Sequence, residues 1–174
     1  MNKNLNWTKE AFSREVVITE NGQPVGGLHQ NAFSRDVEAH LYDVRLRFDV
    51  TGFLLHSVNI HDVNAGDQIV GRIAFQFGKR AELTLVSGDV YTWKRHNMLM
   101  RQWNMIREGA TDADDRETVN YSLTRAFFAD NGDIRVDDDS PNAAIVVLTG
   151  LFVRNYFQRR RRLVAAGAAV AAGA

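Results

Sequence analysis

The stretch "PNAAIVVLTGLFVRNYFQRRRR", Pro141 to Arg162, decides how this chain can fold. Its first part, Ala143 to Val153, carries no charged residue, and its end is a run of four arginines. Such a segment could be a membrane anchor, a buried strand or a core helix. As a helix, the uncharged part would be about 16 Å long, whereas the apolar core of a bilayer is about 30 Å thick. We therefore predict no transmembrane span here.

A helix fits this stretch better than a strand does. Three consecutive β-branched residues, Ile145 to Val147, favour a strand. However, Ser140 and Pro141 are residue types preferred at the N-cap and at the first position of a helix. Acidic residues precede the stretch and Arg159 to Arg162 end it, which is the charge arrangement that the helix dipole favours. We therefore predict a helix over about residues 141–160.

The predicted helix is apolar on every face, so other parts of the chain must surround it. A helix that packs on the outside of a sheet has one apolar face and one polar face. A closed β-barrel can bury a helix on all sides if it is wide enough for a helix about 10 Å across. Eleven-stranded barrels with a central helix solve the same problem.

The middle of the chain shows the alternation of apolar and polar residues that is typical of half-buried strands. In "DVRLRFDV", residues 43–50, every second residue is apolar. The same pattern places Ile69 and Ile73 on one inner face, and Tyr91 and Trp93 on another. Turns rich in Asn, Gly and Asp separate these runs, which is typical of a meander. We predict a mainly β fold, a closed antiparallel barrel of about twelve strands around the hydrophobic C-terminal helix, with the strands lying between Arg14 and Val136.

The composition excludes several classes of function. Lys plus Arg is 21 and Asp plus Glu is 21, so the net charge is zero, whereas proteins that bind nucleic acid usually have a basic excess. The absence of cysteine excludes disulfides, thiolate metal sites and cysteine nucleophiles. The first residues lack the apolar segment of a signal peptide. We therefore expect a cytoplasmic protein that does not bind nucleic acid.

Three stretches together suggest a family: "DQIVGRIAFQF" at Asp67–Phe77, "GDVYTWK" at Gly88–Lys94 and "AAIVVLTGLFVRNYF" at Ala143–Phe157. In these stretches and in the order of its elements, the chain resembles the tubby C-terminal-like group, which includes the LURP-one-related proteins and the phospholipid scramblases. The resemblance implies a twelve-stranded barrel around a hydrophobic C-terminal helix, over residues 7–162, with 163–174 as a low-complexity tail. Tubby-type domains bind phosphoinositides at a basic surface site, so the resemblance also implies contact with phospholipid.

Basic residues are the candidates for contact with an anionic partner. The densest run is Arg159, Arg160, Arg161 and Arg162, and the pairs Lys79-Arg80 and Lys94-Arg95 lie near predicted turns. A basic residue close to an anionic bilayer contributes about 1 kcal/mol, so the arginine run alone would bind only weakly. Binding to an anionic phospholipid surface would therefore need the two pairs on the same rim as the run. A solvated helix end is the plain alternative.

Metal sites and catalytic sites have little support in the sequence. His56 and His61 have an odd separation, which directs them to opposite faces of a regular strand. No nucleophile or phosphate-binding loop accompanies them. Asp137, Asp138 and Asp139 stand where scramblases have a calcium-responsive segment, but they do not match a calcium-binding loop, and the helix dipole explains them. We predict no cofactor and no metal.

These observations favour a non-enzymatic binding module over an enzyme. If the helix fills the barrel, contact with anionic lipid or with a protein partner must use the outer surface. One alternative is a calycin-like barrel that binds a small apolar ligand inside, with the helix packed outside. The other is a scramblase-related lipid-handling protein. The sequence does not predict the oligomeric state.

Overall fold

The computed structural model of the protein describes residues 3–31, 34–50, 57–76, 80–97, 99–125 and 128–172, without the side chains of residues 125 and 162–172. The strands are β1 (Lys3–Glu10), β2 (Glu15–Glu20), β3 (Gln23–Gln30), β4 (Val37–Leu41), β5 (Val44–Asp49), β6 (Ser57–Asp62), β7 (Gln68–Gln76), β8 (Arg80–Leu85), β9 (Val90–Arg95), β10 (Gln102–Arg107), β11 (Arg116–Ser122), β12 (Thr124–Arg125) and β13 (Ala129–Val136). A 3-10 turn spans Asp112–Asp114, and a single helix, α1, spans Ala143–Ala172.

The strands form a closed antiparallel barrel. Consecutive strands pair in chain order, and β13 closes the sheet on β1, from Lys3 opposite Val136 to Glu10 opposite Ala129. The short β12 follows β11 on the same neighbour, β13, so the barrel has twelve strands. This confirms the predicted fold class.

The barrel begins earlier than the sequence predicted. Its first strand starts at Lys3, whereas we predicted the domain from Trp7 and the first strand from Arg14. Only Leu5 and Trp7 of β1 are buried, and the polar residues around them hide the alternation. Pairing along its whole length with β13 makes β1 part of the wall.

One residue of β7 faces the opposite way from the prediction. Ile69 is exposed, whereas Ile73 on the same predicted face is buried. The register with β6 shifts there, since Ile60 lies opposite Gly71 and His61 lies opposite Ile69. A β-bulge inserts one extra residue into a strand and so reverses the alternation beyond it. Phe77, which ends the stretch Asp67–Phe77 quoted above, lies outside the described residues.

The helix α1 lies inside the barrel. All residues from Val146 to Asn155 are buried, and α1 contacts β3, β4, β5, β9, β10 and β13. Ten consecutive buried positions cover every face of a helix. The prediction of a central helix is therefore confirmed.

The ends of α1 differ from the prediction. The helix begins at Ala143, because residues 140–142 form a turn and the Val146 N–H donates to the carbonyl oxygen of Asn142. Ser140 and Pro141 therefore precede the helix and do not cap it. The backbone stays helical to Ala172, beyond the predicted end at about residue 160, as alanine-rich sequence favours.

Aromatic side chains of the wall fix the position of α1. Phe48 stacks on Phe152 with ring centroids 4.3 Å apart. The Tyr121 hydroxyl donates to the carbonyl oxygen of Val147 at 3.0 Å, and burial raises the pKa of Tyr121 well above its ordinary value, which keeps this donor protonated. A Cβ atom on Gly150 would lie 2.2 Å from that hydroxyl oxygen, so the close approach requires glycine here.

The helix is not apolar throughout, because Arg154 is fully buried inside the barrel. Its guanidinium lies 3.0 Å from a carboxylate oxygen of Asp130. The ring centroids of Trp7 and Trp103 lie 4.5 Å and 5.2 Å from its central carbon. A buried charge is costly unless it is paired, and the carboxylate and the two indoles supply that compensation. The charge-free run of the sequence ends at Val153, and burial extends beyond it to include the charged Arg154.

Candidate anionic-ligand surface at the helix-exit end

The two ends of the barrel are built from different connections. Because neighbouring strands are antiparallel, every second connection lies at the same end. The helix-entry end has the connections β2–β3, β4–β5, β6–β7, β8–β9 and β10–β11, and residues 137–142 before α1. The helix-exit end has the connections β1–β2, β3–β4, β5–β6, β7–β8, β9–β10 and β12–β13, and the part of α1 that leaves the barrel.

The helix-entry end is acidic. Its connections are all described and contain no lysine or arginine. Their acidic residues are Asp43, Asp67, Asp89, Glu108, Asp112, Asp114, Asp115, Asp137, Asp138 and Asp139. Basic residues of the wall compensate part of this charge. For example, a hydrogen bond from Ser87 and the Arg107 guanidinium together hold the pKa of Asp89 below its ordinary value.

The weak calcium candidates at this end have separate protein partners. Asp137 pairs with Arg135 at 2.9 Å, and Asp138 accepts a hydrogen bond from the Ser140 N–H at 2.8 Å. Asp139 also has an interaction of its own. Across the part of the chain that the structure describes, no three His, Asp or Glu side chains are grouped as metal ligands would be.

The helix-exit end is basic. Among the described residues of its connections and of the emerging helix, Asp36 is the only acid. The basic residues there are Arg14, Arg35, Arg101, Arg159, Arg160 and Arg161. The residues at the strand ends here add two basic residues, Arg80 and Arg95, and three acidic residues, Glu10, Glu15 and Asp49. This leaves a basic excess.

The predicted basic residues are largely brought together at this end. Arg80 begins β8 and Arg95 ends β9, so both lie at the same end as the arginine run. Lys94 is exposed on the outer wall, one residue before Arg95. Lys79 lies outside the described residues, and the side chain of Arg162 is not described. Arg160 and Arg161 are exposed, and no described residue pairs with them.

Exposed apolar side chains accompany these arginines, and sequence reasoning missed them. Phe12 is 100% exposed, Phe128 is 80% exposed and Leu99 is 63% exposed. The loops of the two phenylalanines are neighbours, since the Ala11 N–H donates to the carbonyl oxygen of Phe128 at 2.7 Å. Phe12 also has a φ of 65°, which is unfavourable for a bulky residue. A phenylalanine inside the turn-like "EAFSRE" was the available sequence signal.

The histidines form no comparable site in the described structure. His61 lies on β6, where its Nδ1 atom is 3.0 Å from the carbonyl oxygen of Asp67. His56 lies outside the described residues. That the protein binds no metal and no cofactor stays a prediction.

Comparison of the chain with models of protein families, with curated proteins and with solved structures gives no match. The resemblance to the tubby C-terminal-like group therefore stays a prediction, with which the barrel around a helix is compatible. Within the described residues, no helix combines the length and the apolar character needed to cross a bilayer.

Proposed function

We propose that this protein is a non-enzymatic binding module that docks on anionic phospholipid surfaces through its helix-exit end. One observation supports the proposal most: among the described residues, arginines without an ion-pair partner and the exposed Phe12 and Phe128 occur at the same end, while the acids of the connections are concentrated at the other end. Basic residues attract a negatively charged surface, and aromatic residues favour the interface between lipid and water.

The expected affinity follows from the number of arginines. At about 1 kcal/mol each, five exposed arginines give about 5 kcal/mol, a dissociation constant of about 200 micromolar. These exposed arginines are Arg14, Arg35, Arg101, Arg160 and Arg161. Partial insertion of Phe12 and Phe128 would strengthen binding further, because burial of a phenylalanine side chain contributes about 1.5–3 kcal/mol.

The net charge of zero does not prevent this attraction. β1 has 8 residues, so a tilted wall strand separates the two ends by about 20 Å. The Debye length at physiological salt is about 8 Å. A surface that touches the helix-exit end is therefore screened from the acids of the helix-entry end. The same asymmetry favours docking with the barrel axis upright on the membrane.

The interior of the barrel disfavours the calycin-like alternative, because buried residues of α1 occupy the space that an apolar ligand would need. Nothing at the described sites favours a scramblase-related function over simple docking. A cytoplasmic location, which the sequence predicts, would suit the proposal, since the cytoplasmic leaflet carries anionic lipids.

Vesicle co-sedimentation tests the proposal. We expect binding to vesicles of phosphatidylcholine with phosphatidylserine, weaker binding at higher salt, and none to phosphatidylcholine alone. Arg160→Gln with Arg161→Gln should weaken binding about tenfold or more. Arg45→Gln with Arg72→Gln changes the net charge equally but lies on the wall, and it should leave binding nearly unchanged. Equal loss in the two double variants would contradict a docking surface at the helix-exit end.

A further inference from the structure

A small groove lies where α1 leaves the barrel, between the helix, the β1–β2 connection and strands β3 and β4. Its volume is about 180 Å³. Val16, Leu28 and Val37 form its apolar floor, and Phe12 stands at its edge. The polar lining includes Lys9, Ser13, Arg14, Asn155 and Arg159. No Asp or Glu is among the described residues that line it, so all of its charged lining residues are basic.

Arg159 is the unusual residue of this groove. It is half-buried, and no described residue forms an ion pair or hydrogen bond with its guanidinium. Burial lowers the pKa of Arg159 below its ordinary value, and no neighbouring carboxylate opposes the shift. Arg154, deeper in the barrel, has Asp130 as its carboxylate partner. A desolvated cation without such a partner is costly, and a bound anion would compensate it.

The other groups of the groove suit a phosphate oxyanion. Arg14 is exposed on the opposite side, and no described residue pairs with it. The Lys9 ammonium donates to the Ser13 carbonyl oxygen at 2.7 Å and so fixes the β1–β2 connection. Asn155 uses its amide oxygen to accept from Arg154 at 3.3 Å, which leaves its N–H donors for another acceptor. Two guanidinium groups and an amide match the several acceptor oxygens of a phosphate.

The size of the groove limits the ligand. Sites for drug-sized molecules have volumes of about 300–1,000 Å³, so this smaller groove suits a single headgroup. Its edge is formed by Phe12, one of the exposed residues of the proposed docking surface. A phosphate at the membrane surface would therefore reach the groove when the barrel is docked.

We infer that the groove beside Arg159 binds a phosphate monoester, presented either by a lipid headgroup such as that of phosphatidic acid or by a soluble phosphate ester. The inference deepens the proposed function, on which it rests. It adds a preference among anionic lipids to the general attraction of the helix-exit end.

The test compares Arg159→Gln with Arg161→Gln. Both remove one charge from the same helix, but only Arg159 lines the groove. Vesicles with phosphatidic acid and vesicles with phosphatidylserine are matched in surface charge. We expect the parent protein to prefer phosphatidic acid, and Arg159→Gln to reduce that binding about tenfold or more. Arg161→Gln should weaken binding to both vesicles equally, by about fivefold, and should leave the preference for phosphatidic acid unchanged. An equal effect of the two variants on phosphatidic acid would overturn the inference.

A second variant distinguishes the loss of the binding groove from a failure to fold. Arg14→Gln changes an exposed residue of the groove, so it should fold normally and also lose the preference for phosphatidic acid. Thermal unfolding followed by circular dichroism checks all variants. If Arg14→Gln folds and retains the full preference, the inference is wrong.

An experiment with a soluble phosphate ester distinguishes the two possible sources of the phosphate group. We expect glycerol 3-phosphate to compete with phosphatidic acid vesicles for the parent, and not with phosphatidylserine vesicles. If the parent binds both vesicles without any preference and glycerol 3-phosphate does not bind, the groove inference fails and the docking proposal stands. If glycerol 3-phosphate binds in an Arg159-dependent manner but no anionic vesicle does, the docking proposal fails and the groove is a site for soluble phosphate.

Discussion

Truncation of Phe152 to alanine tests the packing of α1 inside the barrel. Phe152 is 1% exposed and stacks on Phe48 at 4.3 Å with an angle of 5° between the rings. Truncation of a buried phenylalanine to alanine costs about 3–5 kcal/mol, because apolar burial is lost and a cavity remains. An aromatic pair can contribute about 0.5–1.5 kcal/mol beyond the buried area. We therefore expect the free energy of unfolding to fall by about 4 kcal/mol.

Urea unfolding followed by tryptophan fluorescence measures this loss. Trp7, Trp93 and Trp103 are all buried in the barrel, so their emission reports its opening. With a slope of about 2 kcal/mol per molar urea, the midpoint should fall by about 2 M. Phe12→Ala is the matched control, since it removes the same side chain from a fully exposed position and should change stability by about 0.5 kcal/mol or less.

One result of this comparison would contradict the packing of α1 inside the barrel. If Phe152→Ala lowers stability by no more than Phe12→Ala does, the helix is not packed in the barrel as described. A loss that appears in both variants would instead point to a role of Phe12 in folding, which its exposure argues against.

Three further changes have defined outcomes in the same unfolding assay. Gly150→Ala should lower the free energy of unfolding by about 1–3 kcal/mol, because the added Cβ atom would overlap the Tyr121 side chain. A glycine-to-alanine change in a helix without such an obstacle is stabilising, so a gain in stability would contradict this contact. Asp130→Asn should lower the free energy of unfolding more than Arg154→Met does. The first variant leaves the Arg154 guanidinium, which is 0% exposed, without its carboxylate, whereas the second leaves a carboxylate that is 20% exposed and can be hydrated. The reverse order would contradict this reasoning. Deletion of residues 163–174 should shift the melting temperature by about 2 °C or less, and a large drop would show packing beyond the barrel.

The sequence predicted the fold from two patterns that report directly on burial. A charge-free run at 143–153 requires enclosure on all sides, and strands such as 43–50 have one buried face. Their combination predicts a barrel around a helix. The same patterns fail where burial is not periodic. β1 has only Leu5 and Trp7 buried, and the bulge beside Ile69 interrupts an otherwise regular strand.

Contacts between residues far apart in the sequence explain why the burial of Arg154 inside the barrel was not predicted. Arg154 can be buried because Asp130 lies on β13 and because Trp7 and Trp103 lie on β1 and β10. These residues are far apart in the sequence, and only the closure of the barrel brings them together. No local pattern around Arg154 could reveal its partners.

The candidate surface was predictable only in part. The run that begins at Arg159 is visible in the sequence, but the separation of charge between the two ends is not, because the net charge is zero and the acidic and basic connections alternate along the chain. Strand order is needed to sort them. Phe12 could not be identified from the sequence alone, because a turn pattern indicates backbone geometry but does not show which apolar side chains stay exposed.

End-on docking can be measured directly, because the chain has no cysteine and a single one can be introduced for labelling. Phe12→Cys at the helix-exit end and Ala113→Cys at the helix-entry end would each carry an environment-sensitive nitrobenzoxadiazole label. On vesicles with phosphatidylserine, we expect a brighter, blue-shifted emission from the label at position 12 and an unchanged emission from the label at position 113. A response at position 113, or no response at position 12 while the protein co-sediments with the vesicles, would contradict docking through the helix-exit end.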